Sequence, residues 1–185
     1  MSTRPPTDRS TAMSWLQASL GAVCGIALGT ALLRRWHDVA VVEAWLNARL
    51  VSAIGLADTT SIGAAVIFPL EQRWVGFLVS TGCSVALLLV PPFVLAALLV
   101  GFRRVTLARA LVAVALAIGL LVVVNQMRLA AVVASMQLWG FEVGYQRSHV
   151  LIGSAISTVG LIAVAIVFFL LVGRGSRTRR PAGAR

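Results

Sequence analysis

The sequence predicts an all-α polytopic membrane protein with about four transmembrane helices, interfacial helices and a small extracytoplasmic hairpin. Hydrophobic residues make up 59% of the 185-residue chain and charged residues only 12%, well outside the balance of a soluble domain. Several apolar runs also reach the roughly twenty residues that a helix needs to cross a bilayer. Residues 1–185 are therefore expected to form a single integral membrane domain.

The distribution of arginine predicts how the chain is oriented. The formal net charge is +10, and every basic residue is an arginine. Arginines gather at the ends of apolar runs, in a flexible N-terminal tail (residues 1–12) and in a basic C-terminal tail (residues 173–185), as topology and headgroup signals do. Both tails are expected to be cytoplasmic, on a multi-pass protein of the plasma or inner membrane. No basic stripe interleaved with aromatic residues occurs in the sequence, so nucleic-acid binding is not expected.

Apolar length and helix-ending residues place the spans in order. The first span carries Gly21, Gly25 and Gly29 on one face, a stripe suited to close helix packing. Pro91 and Pro92 fall in the middle of the second span, where membrane helices tolerate proline. The four predicted spans cover residues 13–33, 84–102, 110–124 and 149–172.

Residues 39–56 are predicted to form a helix that lies in the membrane interface. Glu43, Asn47 and Arg49 lie away from its apolar face. Carrying such charges across lipid costs about 2.5–3.5 kcal/mol each at mid-span, so this helix is not expected to cross. The apolar face is formed by Val42, Trp45, Leu46, Leu50 and Ile54.

Three shorter segments are predicted between the spans. β-Branched and aromatic residues over 64–70 and 74–80, separated by Glu71-Gln72-Arg73, predict a hairpin that leads towards residue 83. Residues 129–141 are apolar but too short to cross, which predicts an interfacial or re-entrant segment. Residues 144–148 are predicted to form a polar loop.

Cys83 is the sharpest candidate for chemistry. It lies in the stretch 80–84, where the second span begins, and the N–H groups at a helix start favour a thiolate over a thiol. Cys24 is predicted about half a bilayer deeper, too far for the Cα separation of a disulfide with Cys83. The ordinary explanation, a small buried residue at a helix start, stays open for Cys83.

Charge and length place Arg128 and His149 at the same extracytoplasmic membrane face as Cys83. A thiolate attacks a carbonyl, an imidazole moves the proton, and a guanidinium stabilises the oxyanion or the thiolate. Each residue also has an ordinary role, His149 as a helix cap and Arg128 as a headgroup anchor. Asn125 lies one helical turn from Arg128, and its ordinary role is to cap a helix or to bridge two helices. His37 is the only other histidine, so neither a metal site nor a cofactor is expected.

Three short motifs give the chain a resemblance to a known family. Thr81-Gly82-Cys83-Ser84 stands at a helix start, Asn125-Gln126-Met127-Arg128 follows the next span, and His149-Val150-Leu151-Ile152-Gly153 opens the last. In order and spacing these motifs resemble the exosortase/archaeosortase family. The resemblance covers residues 74–171, and with about four spans the chain resembles a short form of that family.

The resemblance implies a membrane-embedded cysteine transpeptidase or peptidase. Its substrates would be secreted proteins with a C-terminal sorting signal, made of a short motif, a transmembrane helix and a basic tail. Carried over by position, Cys83 would be the nucleophile, Arg128 the catalytic arginine and His149 the proton-transfer residue. The partners implied are this substrate and the membrane lipids, with no cofactor. The supporting residues are Thr81, Ser84 and Asn125.

An alternative from another class is a non-catalytic membrane protein, such as an accessory subunit or a packing scaffold. The glycine stripe of the first span and the interfacial arginines fit that alternative without a reactive thiol. Reactivity of Cys83 toward a thiol reagent added from outside the cell distinguishes the two functions.

Overall fold

The computed structural model describes residues 8–102 and 104–173, and the side chains of residues 8–18, 22, 149 and 150 lie outside this description. The protein is mostly helical, with a three-stranded antiparallel sheet between the second and third helices. In chain order the elements are α1 (Asp8–Arg34), α2 (Trp36–Ala53), β1 (Thr60–Ile62), β2 (Ala65–Leu70), β3 (Arg73–Leu78), α3 (Val85–Gly101), α4 (Leu107–Trp139), α5 (Phe141–Arg147), a π-helical turn (Ser148–Ile152) and α6 (Gly153–Gly173).

Two of these helices, α4 and α6, are long and apolar enough to cross a membrane. Helix α3 and residues 19–34 of α1 are apolar but shorter. The four predicted spans correspond to α1, α3, the first half of α4, and α6. Helix α1 extends from Asp8, so it includes residues before the predicted start of the first span at residue 13. The predicted tail residues 1–7 and 174–185 lie outside the described residues.

Helix α4 is continuous where two segments are predicted. It has 33 residues, so it is about 50 Å long, well beyond the thickness of a bilayer's hydrocarbon core. The predicted break after residue 124 and the separate segment over 129–141 are therefore wrong, whereas the point at which the third span leaves the membrane stays a prediction. Residues 125–139 contain no glycine or proline, and other elements bind their polar side chains, so nothing interrupts the helix. The helix ends at Gly140, which has a φ of 78°.

The polar loop predicted over 144–148 is also wrong, because these residues belong to helix α5 and the π-helical turn. Gly144 lies against the backbone of Ser135 and Met136 in α4. A side chain at residue 144 would collide with that backbone. The glycine that suggests a loop in the sequence therefore allows two helices to approach closely.

Helix α2 confirms the predicted helix but buries its polar face. Its buried residues include Glu43, Asn47 and three alanines. The prediction that Arg49 lies away from the apolar face is wrong, because Arg49 is exposed and lies over the ring of Trp45 on that face. The apolar residues of the opposite face are exposed to the surroundings. This arrangement, with polar residues inside and apolar residues outside, fits a helix whose apolar face contacts lipid. The interfacial position of α2 stays a prediction.

The predicted hairpin is present, and a strand that sequence reasoning missed extends it. Strands β2 and β3 pair antiparallel, with Leu70 opposite Arg73 across a two-residue turn. Glu71 in that turn has a φ of 56°, as the tight turns of hairpins require. The added strand is β1, which pairs with β2 from Ile62↔Ala65 to Thr60↔Ile67. The all-α description therefore omits a small sheet.

Two hydrophobic cores meet at Cys83. The first core joins α2, the sheet and the C-terminal half of α4, and we call this region the cap. The second core joins α3, the N-terminal half of α4 and α6, and with α1 we call it the bundle. Cys83 belongs to the cap core, whereas Val85, two residues later, belongs to the bundle core. The thiol thus lies at the boundary between the two regions.

The predicted glycine stripe packs α1 against α3. A Cβ atom at Gly21 would lie 2.6 Å from the backbone oxygen of Ala97. At Gly25 it would lie 3.1 Å from Val94 Cα, and at Gly29 3.0 Å from a methyl group of Val90. These small residues allow close helix contact, which confirms the packing role predicted for them.

Substituting Gly21→Ala tests this contact. The new methyl group meets backbone atoms of α3, so the helices must separate, and overpacking of this kind costs about 1–3 kcal/mol. We expect a lower thermal midpoint in detergent than for the wild type. Gly119→Ala is the matched control, because a methyl group there meets nothing within 4 Å. Equal midpoints for the two variants would contradict the contact.

Candidate functional site

Cys83 lies in a tight turn that precedes helix α3. The N–H of Cys83 donates to the backbone oxygen of Ser80 at 2.8 Å, and the N–H of Ser84 donates to the same oxygen at 3.0 Å. Ser84 is the N-cap, and its Oγ accepts from the N–H of Ala86 at 3.3 Å. Cys83 therefore stands one residue before the cap and not inside the first helical turn.

The positive end of α3 is occupied by the carboxylate of Glu43. The N–H of Val85 donates to Glu43 Oε1 at 3.0 Å, and the hydroxyl of Ser84 donates to Oε2 at 2.6 Å. Asn125 Nδ2 donates to Oε1. The helix end that sequence reasoning assigned to the thiol thus stabilises a carboxylate instead, because a buried negative charge is the group that most needs such donors.

Glu43 lies in α2, which is not one of the two membrane-length helices, and only 4% of the residue is exposed. This burial raises the pKa of its carboxyl group. Its hydrogen bonds from Ser84, Val85 and Asn125 oppose that rise in pKa, and the positive charge of Arg128 opposes it further. These four partners come from two parts of the chain, the start of α3 with its N-cap and the middle of α4. Glu43 is therefore the point where α2, α3 and α4 are joined.

Arg128 also contacts this turn. Its Nη1 donates to the backbone oxygen of Gly82 at 3.2 Å, and its Nη2 lies 3.7 Å from Cys83 Sγ. Asn125 and Arg128 are one helical turn apart, as predicted, so one face of α4 binds Glu43 and the cysteine turn together. The guanidinium is positioned to stabilise a negative charge on the sulfur.

The thiol of Cys83 is buried, with 6% of the residue exposed. Its neighbours Thr81 and Gly82 are exposed. Cys24, in α1, is exposed and forms no disulfide with Cys83.

The backbone of His149 lies in the π-helical turn, which contacts α4. Its side chain lies outside the described residues. Gly153, which follows this turn, brings α6 against Arg128, since a Cβ atom there would lie 2.9 Å from Arg128 Nε. The structure thus brings together Cys83, Arg128, Ser84 and Asn125, and it places the backbone of His149 beside the same segment of α4.

Sequence reasoning missed the polar face of α2 as part of the site. Asn47 Nδ2 donates to Gln126 at 3.1 Å, and Gln126 Nε2 reaches the backbone oxygen of Glu43 at 3.4 Å. The available signal was the spacing of Glu43 and Asn47, which puts both on one helical face beside small alanines. Within the described part of the chain, the Oδ1 atoms of Asn47 and Asn125 are buried without a hydrogen-bond partner.

Comparison with models of protein families, with curated proteins and with solved structures gives no match for this chain. Among the described residues, no group of three or more histidine, cysteine, aspartate and glutamate side chains is placed to hold a metal ion.

The pKa shift of Glu43 predicts a pH dependence of stability. Because its pKa is raised by burial, the folded protein keeps a proton that the unfolded chain releases, so stability falls as pH rises from about 4, through the ordinary carboxyl range, to the raised pKa. We expect Glu43→Gln to remove this fall, measured as thermal midpoint against pH in detergent. Glu142→Gln, at an exposed carboxylate, should keep the wild-type profile. The same pH slope in the wild type and in Glu43→Gln would refute Glu43 as the origin of the fall in stability.

Proposed function

We propose that the protein is an exosortase-like cysteine transpeptidase or peptidase that processes secreted proteins in the membrane. The observation that carries this proposal is the placement of the Arg128 guanidinium 3.7 Å from Cys83 Sγ, with a second bond to the Gly82 carbonyl. An arginine that only anchors to headgroups needs no contact with the cysteine turn. The contact therefore favours a joint role for the two residues.

The proposed topology has four spans, formed by α1, α3, the first half of α4, and α6. The second half of α4 then extends beyond the bilayer and carries the cap, since the helix is about 50 Å long. With both tails in the cytoplasm, the cap and Cys83 lie at the extracytoplasmic face. The proposed location is the plasma or inner membrane, and the proposed partners are a substrate with a C-terminal helix and the surrounding lipids.

The proposed reaction proceeds through a thioester. The thiolate of Cys83 attacks a backbone carbonyl of the substrate, and the positive charge of Arg128 stabilises the negative charge on sulfur and on the oxyanion. The C–N bond breaks, and the leaving amine takes a proton that the resemblance assigns to His149. An incoming amine, or water, then attacks the thioester carbonyl and releases the thiol.

Glu43 has a positioning role in this proposal. It does not touch the sulfur in any described contact, but it binds Ser84 and Val85 on one side and Asn125 on the other. Because Arg128 projects from the same face of α4 as Asn125, the carboxylate fixes the turn relative to the guanidinium. A reactive pair held by such supporting bonds retains its geometry when a substrate binds.

The second candidate function is a non-catalytic scaffold, and the burial of Cys83 in the cap core favours it. Thiol labelling separates the two functions. The chain has two cysteines, so Cys24→Ala leaves Cys83 as the single target. Alkylation of Cys83 in intact cells by a small impermeant reagent supports the enzyme, whereas resistance to the reagent in folded protein supports the scaffold.

Replacing Cys83 by Ala tests the enzymatic proposal in cells. We expect an unprocessed secreted protein, still carrying its C-terminal helix and basic tail, to accumulate in the membrane fraction, as measured by proteomics of C-terminal peptides. Cys24→Ala is the matched control and should process normally. Arg128→Gln should lower the processing rate by about 10²–10³-fold, as loss of an oxyanion-stabilising donor does. Arg147→Gln, at an exposed arginine that stacks on Trp139, should not.

Normal processing by a Cys83→Ala protein that is inserted at wild-type levels would exclude this mechanism. Equal losses in Arg128→Gln and Arg147→Gln would show a general need for basic residues and would remove Arg128 from the mechanism.

A further inference from the structure

Strand β3 forms one edge of the sheet, and in the described part of the chain no other strand pairs with its outer side. The order of the sheet is β1-β2-β3, so only β2 binds β3. The sheet continues by one further bond, from the N–H of Val79 to the backbone oxygen of Ala64 at 2.9 Å. This bond fixes which backbone groups of β3 face outward.

In an antiparallel ladder, residues alternate between those that bond to the neighbouring strand and those that face away from it. Val79 bonds to β2, so Phe77 and Val75 do as well. Leu78, Gly76 and Trp74 consequently direct their N–H and C=O groups to the outer edge. These three alternate residues present a row of backbone donors and acceptors that can hydrogen-bond to the backbone of an extended peptide.

The outer edge of β3 has little of the usual protection against strand pairing. Natural edge strands carry charges, proline or bulges, whereas β3 has one charged residue, Arg73 at its first position, and no charge or proline from Trp74 to Leu78. Trp74 is 62% exposed and Leu78 is 59% exposed, and the strand alternation puts both on one face with Gly76 between them. A Cβ atom at Gly76 would lie 2.6 Å from the backbone oxygen of Val66, so glycine is needed there for close contact with β2, and the two apolar side chains stand on either side of it.

The candidate nucleophile follows this edge strand closely in the chain. Strand β3 ends at Leu78, and the tight turn from Ser80 to Cys83 begins two residues later. The Cα atoms of Ser80 and Cys83 are therefore within about 7 Å of each other, as in any closed β-turn. Ser80 lies two residues, or about 7 Å, beyond Leu78, so the Cα atom of Cys83 lies within about 14 Å of that of Leu78. A peptide paired along β3 therefore reaches Cys83 by extending a few residues past Leu78.

We propose that the outer edge of β3 binds an extended segment of the substrate polypeptide as an added antiparallel or parallel strand. The backbone groups of Trp74, Gly76 and Leu78 bind the segment, and the two apolar side chains contact its alternate residues. The segment's carbonyl next to the turn then lies at Cys83. This inference rests on the proposed function, because the occupant is the peptide that Cys83 cleaves.

Photo-crosslinking tests the occupant. A photoreactive amino acid replaces Leu78 in a chain that also carries Cys83→Ala, so that substrate accumulates uncleaved. The same probe at Val42, which is exposed on α2, is the control. We expect Leu78 to capture the segment that precedes the C-terminal helix of the accumulating secreted protein, and Val42 not to capture it. Capture at Leu78 of lipid only, or of a second copy of this chain, would overturn the proposal.

Backbone substitution tests the hydrogen bonds themselves. Leu78→Pro removes an outward N–H and leaves the bonds to β2 intact, whereas Leu78→Ala keeps that N–H. We expect Leu78→Pro to process about three- to tenfold more slowly than Leu78→Ala, the effect of one backbone hydrogen bond, at equal thermal midpoints. Equal processing rates overturn the edge site while Cys83→Ala still blocks processing. If Cys83→Ala also processes normally, the proposed function itself fails.

Discussion

The arrangement of this protein depends on one buried carboxylate at the start of a helix. Glu43 accepts hydrogen bonds from Val85, Ser84 and Asn125, and so joins α2 to the turn before α3 and to the middle of α4. A charge buried without such partners is strongly destabilising, so these bonds are needed for α2 to pack with its polar face inward. The apolar face of α2 is left exposed as a consequence.

This constraint determines where the thiol and the guanidinium lie. Cys83 precedes the residues that Glu43 binds, and Arg128 lies one helical turn after Asn125 on α4. Fixing Ser84 and Asn125 to the same carboxylate therefore sets the separation of the two candidate catalytic groups. The boundary between the cap core and the bundle core runs through the same turn.

The sequence predicts much of the fold because its strongest signals are local. Apolar run length identifies the helices, the glycine stripe identifies the α1–α3 contact, and Glu71-Gln72-Arg73 identifies the hairpin. The length of α4 was missed because Asn125 and Arg128 resemble the end of a span, and only tertiary bonds show that they lie within one helix. Strand β1 was missed because a three-residue strand is too short to show the alternation of apolar and polar residues by which strands are recognised. Glu43 was missed because its partners are 41 to 82 residues away in the chain.

The most direct measurement of the central claim is hydrogen exchange of the Val85 backbone amide, in protein held in lipid nanodiscs. In the wild type this amide is bonded to Glu43 and should exchange slowly. In Glu43→Ala it should exchange at least about tenfold faster, since a charge-assisted bond is lost. Glu142→Ala, at an exposed carboxylate, should not change it. Unchanged protection of Val85 in Glu43→Ala would contradict the account, because the carboxylate would then not hold the turn that positions Cys83.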